Sequence, residues 1–327
     1  MLKHIFYSLL IIAELVLVGC ATPYVQPSIS FPAKPALHEE FAIMEDGYRL
    51  PLDYWQAFGE SQAILLALHG LNDYRNGFKS TGDYLARRGI TVIAYDQRGF
   101  GNSEGHGLWH GSDRMTQDLW VMISLLHDKY PEQPLYLLGE SMGGAVVLAA
   151  MHNGPLATEG IILVAPAIWS RQSMPFYQRY ALWVGAHTVP ALKLTGEGLD
   201  LHPSDNIDML RELSRDPLVI KETRVDALYG ISNLMDRAVS SANNLNKKAL
   251  ILYGKYDDII PRVPICQWLQ SLPSEYSHLR QTVIYENGYH MLTRDLQADV
   301  VLEDISNWIT GGGKAFSNHQ DTVSVCH

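Results

Sequence analysis

Six short apolar runs punctuate the chain between helical patterns: Ala63 to Leu68, Ile90 to Tyr95, Leu135 to Leu138, Ile161 to Val164, Ala249 to Tyr253 and Gln281 to Tyr285. Runs this short, apolar at consecutive rather than alternate positions, read as strands buried on both faces, which is the character of a parallel sheet. Parallel pairing needs long crossovers, and the segments between the runs supply them as helices. One helix is legible in detail. Met115, Leu119, Met122, Ile123 and Leu126 share one helical face after Ser112, which reads as an N-cap, and Pro131 closes the segment. Upstream, Phe41 to Met44 and Tyr48 to Trp55 flank Glu45-Asp46-Gly47, a hairpin signal, so the sheet opens with an antiparallel pair. The expectation is an α/β fold with a mostly parallel central sheet flanked by helices.

The alternation breaks once. About 80 residues separate the strand ending at Val164 from the one beginning at Ala249, and a structureless loop of that length is implausible in a compact domain, so residues 168–246 are expected to form an inserted helical cap. The body then spans residues 40–310, and the glycine-led, polar segment 311–327 has the composition of a flexible tail. With 35 acidic against 25 basic side chains, and no lysine-arginine stripe, the chain is a poor partner for nucleic acid. Its three cysteines, Cys20, Cys266 and Cys326, are too few and too scattered for a disulfide framework or a four-ligand zinc site, so no structural role, no metal and no cofactor is expected of them.

At the N-terminus, Lys3 precedes a 14-residue run from Ile5 to Val18 that is almost wholly apolar, shorter than the roughly 20 residues a membrane span needs. It reads as the hydrophobic region of a signal peptide, residues 1–19. The run ends in Leu17-Val18-Gly19-Cys20, which resembles the lipobox of bacterial lipoproteins, and that resemblance implies that Cys20 becomes the lipidated first residue of the mature protein. The alternative is an uncleaved anchor. Residues 20–39, with Pro23, Pro27, Pro32 and Pro35, are expected to be an extended linker to the membrane, in the cell envelope and by the same resemblance at the outer membrane of a Gram-negative bacterium.

Gly-x-Ser-x-Gly occurs twice, around Ser141 and around Ser103. Context separates them. A nucleophile elbow needs a strand running into a sharp turn and then a helix. Leu135 to Leu138 supplies the strand and Gly144 to Met151 the helix, whereas Ser103 sits among Gly99, Gly105 and Gly107 with no helix following, and reads as a turn. A serine hydroxyl is a weak nucleophile and needs a base, itself oriented by an acid, in the chain order Ser, acid, His. Of the histidines beyond Ala249, His278 precedes the last strand and His319 and His327 lie in the tail, which leaves His290. Asp257 and Asp258 both stand at the end of the preceding strand, and either could orient it.

Five signatures, His69-Gly70, Asp96 to Gly101, Gly139 to Gly144, Gly254 to Asp257 and Gly288 to His290, resemble those of the serine α/β-hydrolases of the monoacylglycerol lipase and lysophospholipase group, over about residues 41–310. Within that group the acid stands three residues after the glycine, which implies Asp257. The resemblance further implies an oxyanion hole from the backbone N–H groups of Met142 and Leu71, with His69 and Asp96 in structural turns. Glu140 and Phe100 depart from the animal lipases, which commonly have histidine there, and loosen any inference about substrate.

Trp169, Met174, Phe176, Tyr177, Tyr180, Trp183 and Val184 crowd the start of the expected cap. Phe176, Tyr180, Trp183 and Val184 share a helical face that either packs on the body or walls an apolar tunnel over Ser141, with Gly185, Gly196 and Gly198 as hinges. The implied activity is hydrolysis of monoacylglycerol or lysophospholipid esters through an acyl-enzyme. Its rivals are a short-chain or phenolic carboxylesterase, a peptidase with the same triad, and a non-catalytic surface-binding lipoprotein.

Overall fold

The computed structural model describes residues 22–27, 31–313 and 326. Among these, nine strands form one sheet: β1 (Ala36–Leu37), β2 (Phe41–Ile43), β3 (Arg49–Trp55), β4 (Ala63–Leu68), β5 (Ile90–Tyr95), β6 (Leu135–Glu140), β7 (Gly160–Val164), then β10 (Ala249–Gly254) and β11 (Arg280–Tyr285), after a separate two-stranded pair, β8 (Lys193–Leu194) and β9 (Thr223–Arg224). The order β1-β2-β3-β5-β4-β6-β7-β10-β11 has antiparallel pairing from β1 through β5 and parallel pairing from there on. The six apolar runs are the six parallel strands.

Because successive strand side chains point to opposite faces, each run feeds two cores. Ile64, Leu66 and Leu68 join Leu137, Leu163 and Ile251 on one face, under α2 (Ser112–Lys129), α3 (Met142–Ala150), α6 (Val225–Ser240) and α7 (Arg262–Ser271). Leu65, Leu138, Ile162 and Leu250 face the other way, under α1 (Lys79–Ala86) and α8 (Ala298–Thr310). The remaining helices, α4 (Phe176–Thr188) and α5 (Ile207–Arg215), stand with β8 and β9 in the insertion. All three loops that follow β6, β10 and β11 leave from the same, carboxyl edge of the parallel sheet, where open α/β sheets place their sites.

Several expectations change. Gly111, with φ of 91°, is the N-cap of α2, and Ser112 is its first helical residue, because a backbone arriving with positive φ is open to glycine but strained for serine. Ala36 and Leu37 leave the linker and pair with Ala42 and Ile43, so the sheet recruits its edge from a segment too short and proline-flanked to be read as a strand. The last part of the insertion, α6, buries Ala227, Ile231, Leu234 and Ala238 in the body core. The cysteines also have a structural role: Cys266 on α7 is disulfide-bonded to Cys326, with Cα atoms 5.5 Å apart. Sixty residues separate them in sequence, so only the fold brings them together. The expected signal peptide, residues 1–19, Cys20 and most of the tail lie outside the described residues. Among the described residues no helix is long and apolar enough to cross a membrane, and no cluster of His, Cys, Asp or Glu is arranged to hold a metal.

Candidate active site

Ser141 stands between the end of β6 and the first residue of α3, with φ of 51° and ψ of −113°. A non-glycine residue at positive φ stores strain, and this is the backbone that lifts a serine clear of the strand it ends. The flanking glycines are obligatory on steric grounds. A Cβ at Gly143 would lie 2.1 Å from the Leu68 carbonyl oxygen, and one at Gly139 2.6 Å from the Gly144 backbone. The Ser141 amide donates to Val164 at 2.9 Å and its carbonyl accepts from Ala145 and Ala167, so the turn is held by β7 and by its own helix.

His290 and Asp257 meet across the loops after β11 and β10. His290 Nδ1 lies 2.8 Å from Asp257 Oδ2, and both side chains are nearly fully buried. The other Asp257 oxygen accepts the backbone N–H groups of Ile259 and Ile260, each at 2.9 Å, which fixes the carboxylate before it meets the ring. Burial alone would push the His290 pKa down, but Asp257, by charge and by hydrogen bond, and Glu140 by charge hold it above the ordinary value, with Arg294 opposing. Asp258 is engaged elsewhere: its Oδ2 accepts the His202 N–H at 2.8 Å and lies 3.6 Å from the His202 ring, tying β10 to the insertion. Of the two aspartates, Asp257 is the one that meets the His290 ring.

The loop after β4 presses on the serine. A Cβ at Gly70 would be 3.3 Å from the Ser141 Cβ and 3.9 Å from its Oγ, which places the turn carrying Leu71 beside Ser141. Met142, first residue of α3, follows Ser141 directly, and N–H groups of a first helical turn have no intrahelical acceptor. Asn72, at φ of 67°, continues the turn; its Nδ2 donates to Thr223 Oγ1 at 2.7 Å and its carbonyl accepts the Ile220 N–H at 2.9 Å. That latch to the insertion was not visible in sequence.

His69 is a structural residue. Its Nδ1 lies 2.8 Å from the Gly70 carbonyl and its Nε2 accepts the Gln97 N–H at 3.0 Å, and burial holds its pKa below the ordinary value. Ser103 is equally occupied: its hydroxyl accepts from Phe100 N–H at 3.0 Å and faces the carbonyls of Gln97 and Phe100 at 2.9 and 2.7 Å. Asp96 accepts the N–H groups of Arg75 and Asn102 at 2.9 and 2.7 Å and pairs with the Arg75 guanidinium. All three stabilise turns.

In the insertion, Phe176, Tyr180 and Trp183 are 76%, 69% and 49% exposed. Neither packing on the body nor a closed tunnel wall describes them in this structure; the face points to solvent. Trp183 stacks on His187 at 4.5 Å, and His187 meets Tyr229 of α6 edge-on at 5.5 Å.

A mostly parallel sheet, a serine on a strand-to-helix elbow and an Asp–His pair on the loops of two later strands define an α/β-hydrolase. Residues 59–297 match the family described as serine aminopeptidase, S33. The chain belongs to that family, and it is a hydrolase. Among similar sequences are the monoglyceride lipase of Rattus norvegicus, 27% identical over 82% of this chain and 89% of its own, and the monoacylglycerol lipase of Mycolicibacterium smegmatis, 24% identical over 80% and 93%. Among solved structures, a monoacylglycerol lipase of Paleococcus ferrophilus superposes with a TM-score of 0.67 at 21% identity, covering 80% of this chain and 99% of its own. A soluble variant of the Saccharomyces cerevisiae monoglyceride lipase, in complex with a substrate analogue, gives 0.66 at 19% identity, covering 90% and 99%.

Proposed function

We propose that this chain hydrolyses carboxylic esters of monoacyl lipids, with Ser141 as nucleophile, His290 as general base and Asp257 as its orienting acid. Ser141 Oγ attacks the ester carbonyl while His290 accepts its proton; the oxyanion is held by the N–H groups of Met142 and Leu71; His290 then protonates the leaving alcohol, and water releases the acyl group by the same steps in reverse roles. Asp257 holds Nδ1, which leaves Nε2 as the proton-accepting nitrogen.

The observation that carries the lipid reading is the match to monoglyceride and monoacylglycerol lipases over 80% or more of this chain and about nine-tenths of theirs. The exposed aromatic face of α4 supports it, since large apolar side chains held in water mark surfaces that meet apolar partners. Each methylene seated on such a surface contributes at most about 0.8 kcal/mol, so even a third of that limit raises kcat/KM on the order of tenfold from acetyl to octanoyl esters. A panel of glycerol monoesters and p-nitrophenyl esters, with aminoacyl p-nitroanilides alongside, should show that climb and leave the anilides uncleaved. A profile that peaks at acetyl points to a short-chain esterase, and cleavage of the anilides to a peptidase.

The exported, Cys20-anchored location belongs to the same proposal. A disulfide between Cys266 and Cys326 suits an oxidising compartment. The N-terminal segment supports the anchor as well: Gln26 N–H donates to the Trp109 carbonyl at 2.9 Å, the Arg224 guanidinium lies 5.9 Å from the Tyr24 ring, and Pro23 and Tyr24 share a groove with Tyr229. Tyr229 is the residue His187 touches, so Pro23 and Tyr24 lie beside the exposed face of α4. With Cys20→Ser the protein should leave the membrane fraction or persist as the uncleaved precursor. Unchanged fractionation and an unchanged mature mass would remove Cys20 as the anchor.

A further inference from the structure

Beside the serine lies a charged junction that the triad does not use. Arg294 Nη2 is 2.9 Å from Glu140 Oε1 and 2.6 Å from Asp73 Oδ2, and the second Glu140 oxygen accepts the Thr293 hydroxyl at 3.1 Å. All three charged side chains are more than nine-tenths buried. Glu140 is the residue before Ser141, Asp73 stands three beyond Gly70 and fixes the Tyr74 N–H at 2.8 Å, and Arg294 stands four beyond His290. One guanidinium thus bridges the elbow, the loop of the oxyanion donors and the loop of the base, three segments that no strand pairing joins at this point. Asp295 also braces the His290 loop, accepting the Tyr289 N–H and the Ser204 hydroxyl at 2.8 and 2.6 Å.

We propose that Arg294 is a positioning residue, which through Glu140 and Asp73 sets the distance of His290 and of the oxyanion loop from Ser141. The proposal deepens the hydrolase reading and rests on it. A buried cation is tolerated here because two carboxylates flank it: burial would lower the Arg294 pKa, but Asp73 and Glu140 hold it above its ordinary value, so it stays charged through turnover. Within the junction, Glu140 favours the imidazolium that His290 becomes in the transition state and Arg294 opposes it. The charged groups facing the His290 ring are Asp257 from the loop after β10, Glu140 from the elbow and Arg294 from its own loop.

The test is kcat and KM against pH for an octanoyl ester, on the full chain and on Arg294→Met, Arg294→Lys, Glu140→Gln and Asp73→Asn. His290 must be neutral to accept a proton, so the acid limb of kcat/KM follows its pKa. Removing the Arg294 charge leaves Glu140 unopposed and should move that limb to higher pH; removing the Glu140 charge should move it to lower pH; Asp73→Asn should leave it in place. Arg294→Met should cost about 100-fold in kcat with KM little changed, the size of effect expected from misplacing a catalytic group by about 1 Å, and Arg294→Lys should recover part of it and keep the limb where it is in the native chain. Should Arg294→Met fail to fold, the contrast between Glu140→Gln and Asp73→Asn gives the same reading. Limbs that coincide in all variants, or kcat within about twofold of the native value, would overturn the proposal. Ser141→Ala, assayed alongside, separates this from failure of the triad itself: an active Ser141→Ala refutes Ser141 as the nucleophile, whereas an inactive one with undisturbed junction variants refutes the junction alone.

Discussion

Ser141→Ala is expected to lower ester kcat by about 10⁴ to 10⁶, the loss that removal of one member of a serine triad produces. Ser103→Ala, in the same pentapeptide pattern, is expected to keep kcat within a few-fold while lowering stability by about 1–3 kcal/mol, because its hydroxyl is a buried turn bond whose partners are left unsatisfied. The asymmetry follows from what each serine does with its hydroxyl. Ser103 spends its donor and acceptor on its own loop, whereas Ser141 sits on a strained backbone between strand and helix with the Gly70 turn at its side. Parallel kinetics and urea melts of the two variants separate chemistry from folding, and comparable kcat losses in both would contradict the elbow assignment.

Asp257→Asn is expected to lower kcat by about 10³ to 10⁴, and Asp258→Asn by less than about tenfold. Asparagine keeps the shape of Asp257 but presents a neutral group to His290 Nδ1, so the ring loses the charge that stabilises the imidazolium and the acceptor that selects its tautomer. The pH profile should move as well. Asp257 raises the His290 pKa above its ordinary value, so its neutralisation shifts the acid limb of kcat/KM to lower pH. Asp258 holds His202 of the insertion instead, and its loss should appear in KM before kcat. The reverse ranking of the two variants would move the orienting acid to Asp258.

Five of the parallel strands were legible because burial on both faces writes itself into consecutive apolar residues; β11, at the sheet edge, is only half-buried, yet each of the six runs lies within about two residues of its strand. The elbow was legible for the same reason that it works: glycines stand where any Cβ would strike backbone. What escaped were contacts between segments far apart in sequence. Cys266 and Cys326 carry no local sign of their pairing, and Ala36 with Leu37 becomes a strand only because β2 presents an open edge. Arg294 could have been suspected, since a carboxylate at Glu140 beside a nucleophile demands a buried cation and Arg294 lies one helical turn's spacing beyond His290; Asp73, the third member, gave no such signal. The exposed face of α4 was readable as apolar and helical, but periodicity cannot distinguish a face that meets the body from one that meets an outside partner.

The central claim is that Ser141 attacks monoacyl lipid esters. The most direct measurement is fluorophosphonate labelling of the full chain, with the adduct located by peptide mass spectrometry and the labelling rate followed as a medium-chain monoacylglycerol is added. The expected result is one adduct per chain, on Ser141, slowed by the monoacylglycerol at concentrations where glycerol and acetate do nothing. An adduct on another residue, no adduct on a folded chain, or labelling indifferent to the lipid would contradict it.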